Sequence, residues 1–412
     1  MNLSRRIKQH AAALPPVYST WGVYRRWQLH HDYARRRDQY AARATQQGLV
    51  YREAESIAAV RQHLAQRGYT PTPRQIGDIH TFAIVSNESW HHHLLPDLRE
   101  LGPLSLFDYV QHGFRWEQFH PTAPHGLERR RAMNSLILPA LHAAHAQRPI
   151  DWVFIYASGH EMSASTVGRI TTEIGCPVVN MCLDDRQSWV GPWMGDHRAG
   201  QIDIAAAFDL SWTSARVACE WYMLEGARPF YLAEGFDANY YAPRLLPNDI
   251  DISFIGAAYG YRFAVASYLR RHGVRLQTFG RGWPGVGWID DPVAIINRSQ
   301  INLGMGGIGY SESLTNVKAR DFEIPGTGGG LYITSFHPEL ARHFVIGQEI
   351  VCYRSRDDML ELIRYYLAHP DEAQAIAQRG RARCLQEHRW LHRYIHLCQA
   401  LTILADTTFD EQ

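Results

Sequence analysis

The chain has 412 residues, 46% of them apolar, with 42 basic and 41 acidic side chains and a net charge of +1. That length accommodates two sizeable domains and an extension, each domain with a core of its own. The charge balance excludes a globally basic nucleic-acid binder and an acidic tail protein, though not a local patch.

Residues 1–75 read as a helical extension with local charge. Arg5, Arg6 and Lys8 are followed by Arg25, Arg26 and Arg35–Arg37, with Trp21, Tyr24, Trp27 and Tyr33 interleaved. Such a segment either meets an anionic partner, membrane lipid or nucleic acid, or is a solvated helical face packed through its aromatics. The second is the commoner fate of a charge run. Glu53–Arg67 is a clearer amphipathic helix, with Ile57, Val60 and Leu64 at helical spacing and Gly68 as its stop.

After a linker at Pro71–Pro73, residues 76–245 predict a first α/β domain. Strands are expected from Thr81, at Leu104–Phe107, Asp151–Ala157, Pro177–Leu183, Phe208–Thr213 and Phe230–Leu232. Helices are expected through Leu101, over Met133–Gln147 and over Thr166–Gly175. Alternation of this kind predicts a parallel sheet covered on both faces. Polar clusters follow the strands: Ser86, Asn87 and Glu88; then Ser158, Gly159, His160 and Glu161; then Asp184, Asp185 and Arg186. In such sheets ligands bind outside the carboxyl ends of the strands, so these clusters should share one edge. The His91–His93 run is expected to be a solvated face and not a zinc site, because neighbouring side chains on a helix point apart.

Tyr241–Asn248, with two prolines, reads as a second linker, and residues 246–385 as a second α/β domain. It begins with strand Ile252–Ile255, a helix to Arg271, strand Val274–Phe279 and the loop Gly280–Gly287 with Trp283. Then comes INLGMGGIGYSESLTNVKARDFEIPGTGGGLYIT, from Ile301 to Thr334: strand, glycine-rich loop, helix, strand. Glycines let a backbone approach a phosphate, and a helix start offers N–H groups and a positive dipole end. Asn316, Arg320 and Glu323 are spaced four and three apart, which puts them on one helical face. An arginine fork takes phosphate oxygens and a carboxylate takes ribose hydroxyls. The combination predicts a nucleoside diphosphate at this helix start; the plainer alternative is a tight turn followed by a solvated ion pair. Ile350–Tyr353 is a further strand. Residues 386–412, rich in aromatics from Trp390 to Tyr394, are expected to form a helix that returns to the first domain.

The six cysteines show no CxxC and no framework, as expected of buried thiols in a reducing compartment. No apolar run approaches a bilayer span, so a cytoplasmic protein is expected, with peripheral contact to an anionic membrane open through residues 1–75. Twelve tryptophans and twenty-one tyrosines suit either large aromatic cores or sugar-binding clefts.

From about Asp184 to Arg393 the chain resembles the CgeB-like, spore-maturation-type glycosyltransferases of the GT-B superfamily. The similar stretches come in the family's order: EGFDANYYAP at Glu234–Pro243, DISFIGAAYGYR at Asp251–Arg262, FGRGW at Phe279–Trp283, VKARDFEIPGTGG at Val317–Gly329, and Tyr366–Arg393 with its HPDE, Gly380, His388 and Arg393. The resemblance implies an α/β GT-B fold, two Rossmann-like domains facing across a cleft, the second holding a nucleotide-sugar donor. It implies Gly256 and Arg262 near the diphosphate, Trp283 near the base, Asn316, Lys318 and Arg320 in the donor site, and Glu323 as the ribose-binding carboxylate. The family's first, sugar-recognising acid falls on Thr315, with Glu312 as a substitute from the loop. No metal or other cofactor is implied.

The acceptor stays open among glycan, lipid, protein and small molecule. Its activating group is expected among Glu88, His160, Glu161, Asp184 and Asp185. Asp185, which matches an aspartate of the family, and His160 rank first, then Glu88. A general base must reach the acceptor hydroxyl and titrate near working pH, which a carboxylate achieves through burial or a like charge. The alternatives are an epimerase or phosphorylase of the same fold, or a non-catalytic nucleotide-sugar-binding subunit.

Overall fold

The computed structural model describes residues 15–119, 123–195, 197–285 and 289–404. The cluster Arg5, Arg6 and Lys8, and the end of the Gly280–Gly287 loop, lie outside these residues. The chain divides into two compact units, Arg37–Asp237 with Arg389–Gln412, and Ala238–His388 with the first residues up to Arg36. The extension 1–75 is therefore not a unit: its long helix α1 (Pro15–Gln46) contributes to both.

The first unit contains α2 (Glu53–Gln66), β1 (Thr81–Val85), α3 (His91–Leu101), β2 (Leu104–Leu106), α4 (Gly126–Gln147), β3 (Trp152–Tyr156), α5 (Ala164–Ile174), β4 (Val178–Cys182), α6 (Asp185–Ser188), β5 (Leu210–Thr213), α7 (Cys219–Leu224) and β6 (Pro229–Tyr231). Its six strands run parallel in the order β2-β1-β3-β4-β5-β6. The register of β1 on β3 runs from Thr81 opposite Trp152 to Val85 opposite Tyr156. Every residue of β1 and β4 is buried, because helices cover both faces of a parallel sheet and leave no solvated side to alternate with.

The last helix of the chain, α14 (Trp390–Ala400), completes this core. Trp390 and Tyr394 are fully buried, Trp390 lying 5.9 Å from Trp212 and Tyr394 5.6 Å from Phe154, ring to ring. Asp97 of α3 anchors the helix start, accepting from Arg389 at 3.0 Å and from the Leu391 N–H at 2.7 Å. The largest aromatics here, Trp152, Trp189, Trp212, Trp221 and Trp390, are core residues.

The second unit contains β7 (Ile250–Ile255), α9 (Arg262–Arg271), β8 (Leu276–Phe279), α10 (Pro292–Arg298), β9 (Ser299–Leu303), α11 (Arg320–Thr327), β10 (Leu331–Ser335), β11 (Val351–Tyr353), α12 (Arg356–Ala368) and α13 (Pro370–Glu387). Its five strands are parallel in the order β8-β7-β9-β10-β11. Both sheets thus place their first and third strands side by side, and the crevice at that reversal is where doubly wound folds bind ligands.

Two expectations are corrected. Tyr241–Asn248 has no regular secondary structure, as a linker should, but the units divide earlier, between Asp237 and Ala238, and its ends are tied down: Tyr241 is buried, and the Arg244 N–H donates to Asn297 Oδ1 at 2.8 Å. α11 runs through Pro325 to Thr327 and closes on Gly328, whose φ of 70° suits a left-handed C-cap. Asn316 precedes α11, so it does not share a helical face with Arg320 and Glu323.

Candidate functional site

In the second unit, the β7 carboxyl end leads through Gly256 into α9, whose first residue is Arg262. Arg262 is buried, its Nη1 donates to Ala257 O at 2.9 Å, and its guanidinium lies 4.2 Å over the Tyr259 ring. Burial first, and then the charge of Arg320, hold its pKa below the usual guanidinium value. Arg320 opens α11; burial acts to lower its pKa too, but Tyr332, Asp321, Tyr259 and Glu323 outweigh that and raise it. Arg262 Nε is buried without a hydrogen-bond partner. Leaving a buried cationic donor unsatisfied is costly, and an anion bound between the two guanidiniums would relieve it.

Glu323 lies three residues after Arg320 on the same helix, so the two do share a face. Burial pushes its pKa up to about 7, against the opposing effects of Arg320 and of a hydrogen bond from the Tyr241 hydroxyl. Sequence reasoning passed over Asp321, which anchors the helix start. It accepts from the Lys318 N–H at 2.8 Å and from the Tyr332 hydroxyl at 2.6 Å. Asp321 sits inside the KARDFE stretch, but only the position of Tyr332 on β10 reveals its part.

The glycine-rich loop behaves differently from expectation. Its amides are largely used within the protein: Gly304 N–H bonds to Ile333 O, Gly306 N–H to Ser335 Oγ and Gly307 N–H to the Tyr261 hydroxyl. A Cβ on Gly304 would lie 2.3 Å from the Tyr332 oxygen, and one on Gly307 2.3 Å from Ser311 O. These glycines admit neighbouring protein atoms. The first-turn N–H groups of Phe322 and Glu323 likewise bond to Ala319 O. Anion-binding capacity therefore resides in Arg262 and Arg320, with no comparable cradle of loop amides.

The other predicted donor-side residues are placed as follows. Asn316 is buried, and its N–H returns to Gly306 O at 3.0 Å; Thr315 bridges to Gly307. Glu312 is held in a two-pronged ion pair by Arg356, with Nε to Oε2 at 2.9 Å. Trp283 is buried against Phe254 and Phe263, its indole donating to Gly256 O at 2.9 Å, so its ring is a core element beneath the Gly256 turn. Unexpectedly, α1 reaches the loop: His30 Nε2 lies 2.6 Å from Ser311 Oγ, and Gly22 packs under the Tyr310 ring. The start of the chain therefore packs on the glycine-rich loop of the second unit.

In the first unit, a cavity of about 450 Å³ opens at the carboxyl ends of β1, β3 and β4. Trp90, Trp116 and Tyr156 supply its aromatic walls, and His160, Glu161 and Asp184 its titratable groups. Trp90 meets Tyr156 edge-on at 5.6 Å. Glu161 Oε2 accepts from Ser158 N–H at 2.8 Å and Ser158 Oγ at 2.7 Å, and burial raises its pKa. Burial, with Asp184 beside it, holds the Tyr156 phenol well above its usual value.

Two expected members are absent from the lining. Asp185 is fully buried on the inner side of α6, where its carboxylate accepts from the Thr213 hydroxyl and from Tyr222 at 2.8 Å. Burial raises its pKa to about 6, opposed by those two bonds. Glu88 is exposed and accepts from the Tyr109 hydroxyl at 2.7 Å. Asp184, the residue before the helix, is the one that lines the cavity. Among the described residues no group of three or more His, Cys, Asp or Glu is arranged for a metal ion, and no helix is long and apolar enough to cross a membrane.

Residues 260–399 match the sequence family described as "Glycosyl transferase-like". The chain is similar in structure to sucrose-phosphate synthase from Thermosynechococcus elongatus, with 13% identity and a TM-score of 0.51 over 79% of this chain and 98% of that one. It is similar also to a glycosyltransferase from Rickettsia africae, with 11% identity and a TM-score of 0.52 over 80% of this chain and 100% of that one. No curated protein matches the sequence. At these identities the likeness is one of fold: the two parallel-sheet domains and their N-terminal helices make up a GT-B fold.

Proposed function

We propose that the chain is a glycosyltransferase of the CgeB-like kind, moving a sugar from a nucleotide-sugar donor to a hydroxyl of its acceptor without a metal ion. The observation that carries this reading is the pair Arg262, buried, and Arg320, half-buried, two like charges near enough to act on one another at the strand reversal of the second unit. The match of residues 260–399 to a glycosyltransferase-like family spans both arginines and supports it.

Glycosyl transfer breaks the bond from the sugar's anomeric carbon to the diphosphate oxygen, which leaves with the electron pair. A new bond forms from that carbon to the acceptor oxygen, whose proton goes to a base. Arg262 and Arg320 stabilise the charge that develops on the departing diphosphate. Glu323 accepts from the ribose hydroxyls. In this reading Asp184 and His160, which line the first unit's cavity, orient the acceptor hydroxyl and take its proton, and Trp90, Trp116 and Tyr156 offer faces for an acceptor's apolar side. Asp185, ranked first from sequence, is replaced in this role by its neighbour.

The test is calorimetry with the nucleoside diphosphates, followed by donor turnover with and without acceptor. Arg262→Met and Arg320→Met should each weaken the preferred diphosphate at least about tenfold, the scale of a lost charged hydrogen bond. Turnover should persist in excess chelator. Unchanged affinity in both variants refutes the site; tight binding with no turnover under any acceptor would leave a binding subunit.

A further inference from the structure

The first 46 residues hold nine basic side chains against two aspartates, in a chain whose total charge is +1. The positive charge is therefore concentrated on α1 and the residues before it, and the remainder is net negative. One face of α1 is occupied: Gly22 packs against Tyr310, Leu29 against Gly309, and His30 bonds Ser311. The opposite face carries exposed side chains among the described residues. Tyr24, Trp27 and His31 follow one another at three- and four-residue spacing, so they share that face. Their rings stack in sequence at 6.3 Å and 5.1 Å. Trp27 is 60% exposed, Val23 59% and Tyr24 50%. Arg25, Arg26 and Arg35 are exposed on the same helix, Arg35 on the side of this stripe and Arg25 and Arg26 to either side of the face that meets the loop.

We infer that this face of α1 docks on an anionic lipid surface. The chemistry specifies both parts of such a partner. Indole and phenol rings are apolar bodies with polar tips, which favour the headgroup boundary of a bilayer. Arginines on the same helix are drawn to anionic headgroups, and stable but reversible attachment takes two such signals together. Nucleic acid would match the charge alone; a helix face of stacked, solvent-facing rings offers it neither a groove nor a platform between strands. Because the inner face of α1 is pinned to the loop that follows β9, docking would hold the second unit in a defined orientation to the membrane.

The test uses the full chain and sedimentation with vesicles of phosphatidylcholine, alone or with about one-third phosphatidylglycerol. Wild type should partition onto the anionic vesicles at least about tenfold better than onto the neutral ones, and less in high salt. Tyr24→Ser with Trp27→Ser, and separately Arg25→Glu with Arg26→Glu, should each lose about tenfold while melting like wild type. Arg169→Glu, an exposed charge reversal on α5, should bind as wild type does. Equal partitioning onto both vesicle types, or no loss in the paired variants, overturns the inference. So does vesicle indifference accompanied by binding to a single-stranded oligonucleotide, or by self-association that Trp27→Ser abolishes.

Discussion

Glu323→Gln should make the protein more stable and its nucleotide affinity weaker, and the stability gain should depend on pH. The carboxylate is raised from 4.5 to about 7 in the folded state, with burial the dominant cause. A raised carboxylate binds its proton more tightly folded than unfolded, so folding is penalised as pH rises from about 4.5 to 7, with the full penalty above that range. At about 1.4 kcal/mol per pH unit the displacement sets an upper limit of roughly 3 kcal/mol. Residual solvent screening reduces this, and a gain of about 1–2 kcal/mol at pH 8 is expected. Glutamine keeps the shape and can still accept from Tyr241. Urea denaturation of both proteins at several pH values measures the difference, which should shrink towards zero as pH approaches 4.5. Calorimetry at pH 8 should show the opposite sense, at least a tenfold loss for the nucleoside diphosphate. A variant less stable at pH 8, or a difference independent of pH, would show that Glu323 is not a strained buried acid.

Asp184 and Asp185 should separate cleanly. Asp185→Ala leaves the Thr213 and Tyr222 hydroxyls without their acceptor and should lower unfolding free energy by about 2–4 kcal/mol. Asp184→Asn should leave the melting curve in place and slow single-turnover transfer at saturating donor; a wild-type rate would remove Asp184 from catalysis. His30→Ala, which deletes the bond to Ser311, should raise the nucleoside diphosphate Kd about fivefold, with His30→Gln intermediate. An unchanged Kd would mean that α1 rests on the loop without shaping the donor site.

Features written in local pattern were legible from the residues alone. Apolar runs of strand length alternating with helical periodicity specify two parallel sheets, and parallel connectivity puts the polar clusters after β1, β3 and β4 at one end. The spacing of Arg320 and Glu323 on a helix is local in the same way, and α11 keeps both on one face. Tertiary structure alone decided which members of those clusters reach the open space. Asp184 and Asp185 are adjacent and chemically alike; Thr213 on β5 and Tyr222 on α7, close in space but far in sequence, draw Asp185 inward. The loop glycines looked like a phosphate cradle until Tyr332, Ser335 and Tyr261 were seen to occupy the space and the amides. Most large aromatics became core for a similar reason, since Trp390 and Tyr394 meet β3 and β5 only when the chain's last helix returns. A residue's direction and partners depend on what packs against it, and those atoms come from elsewhere in the chain.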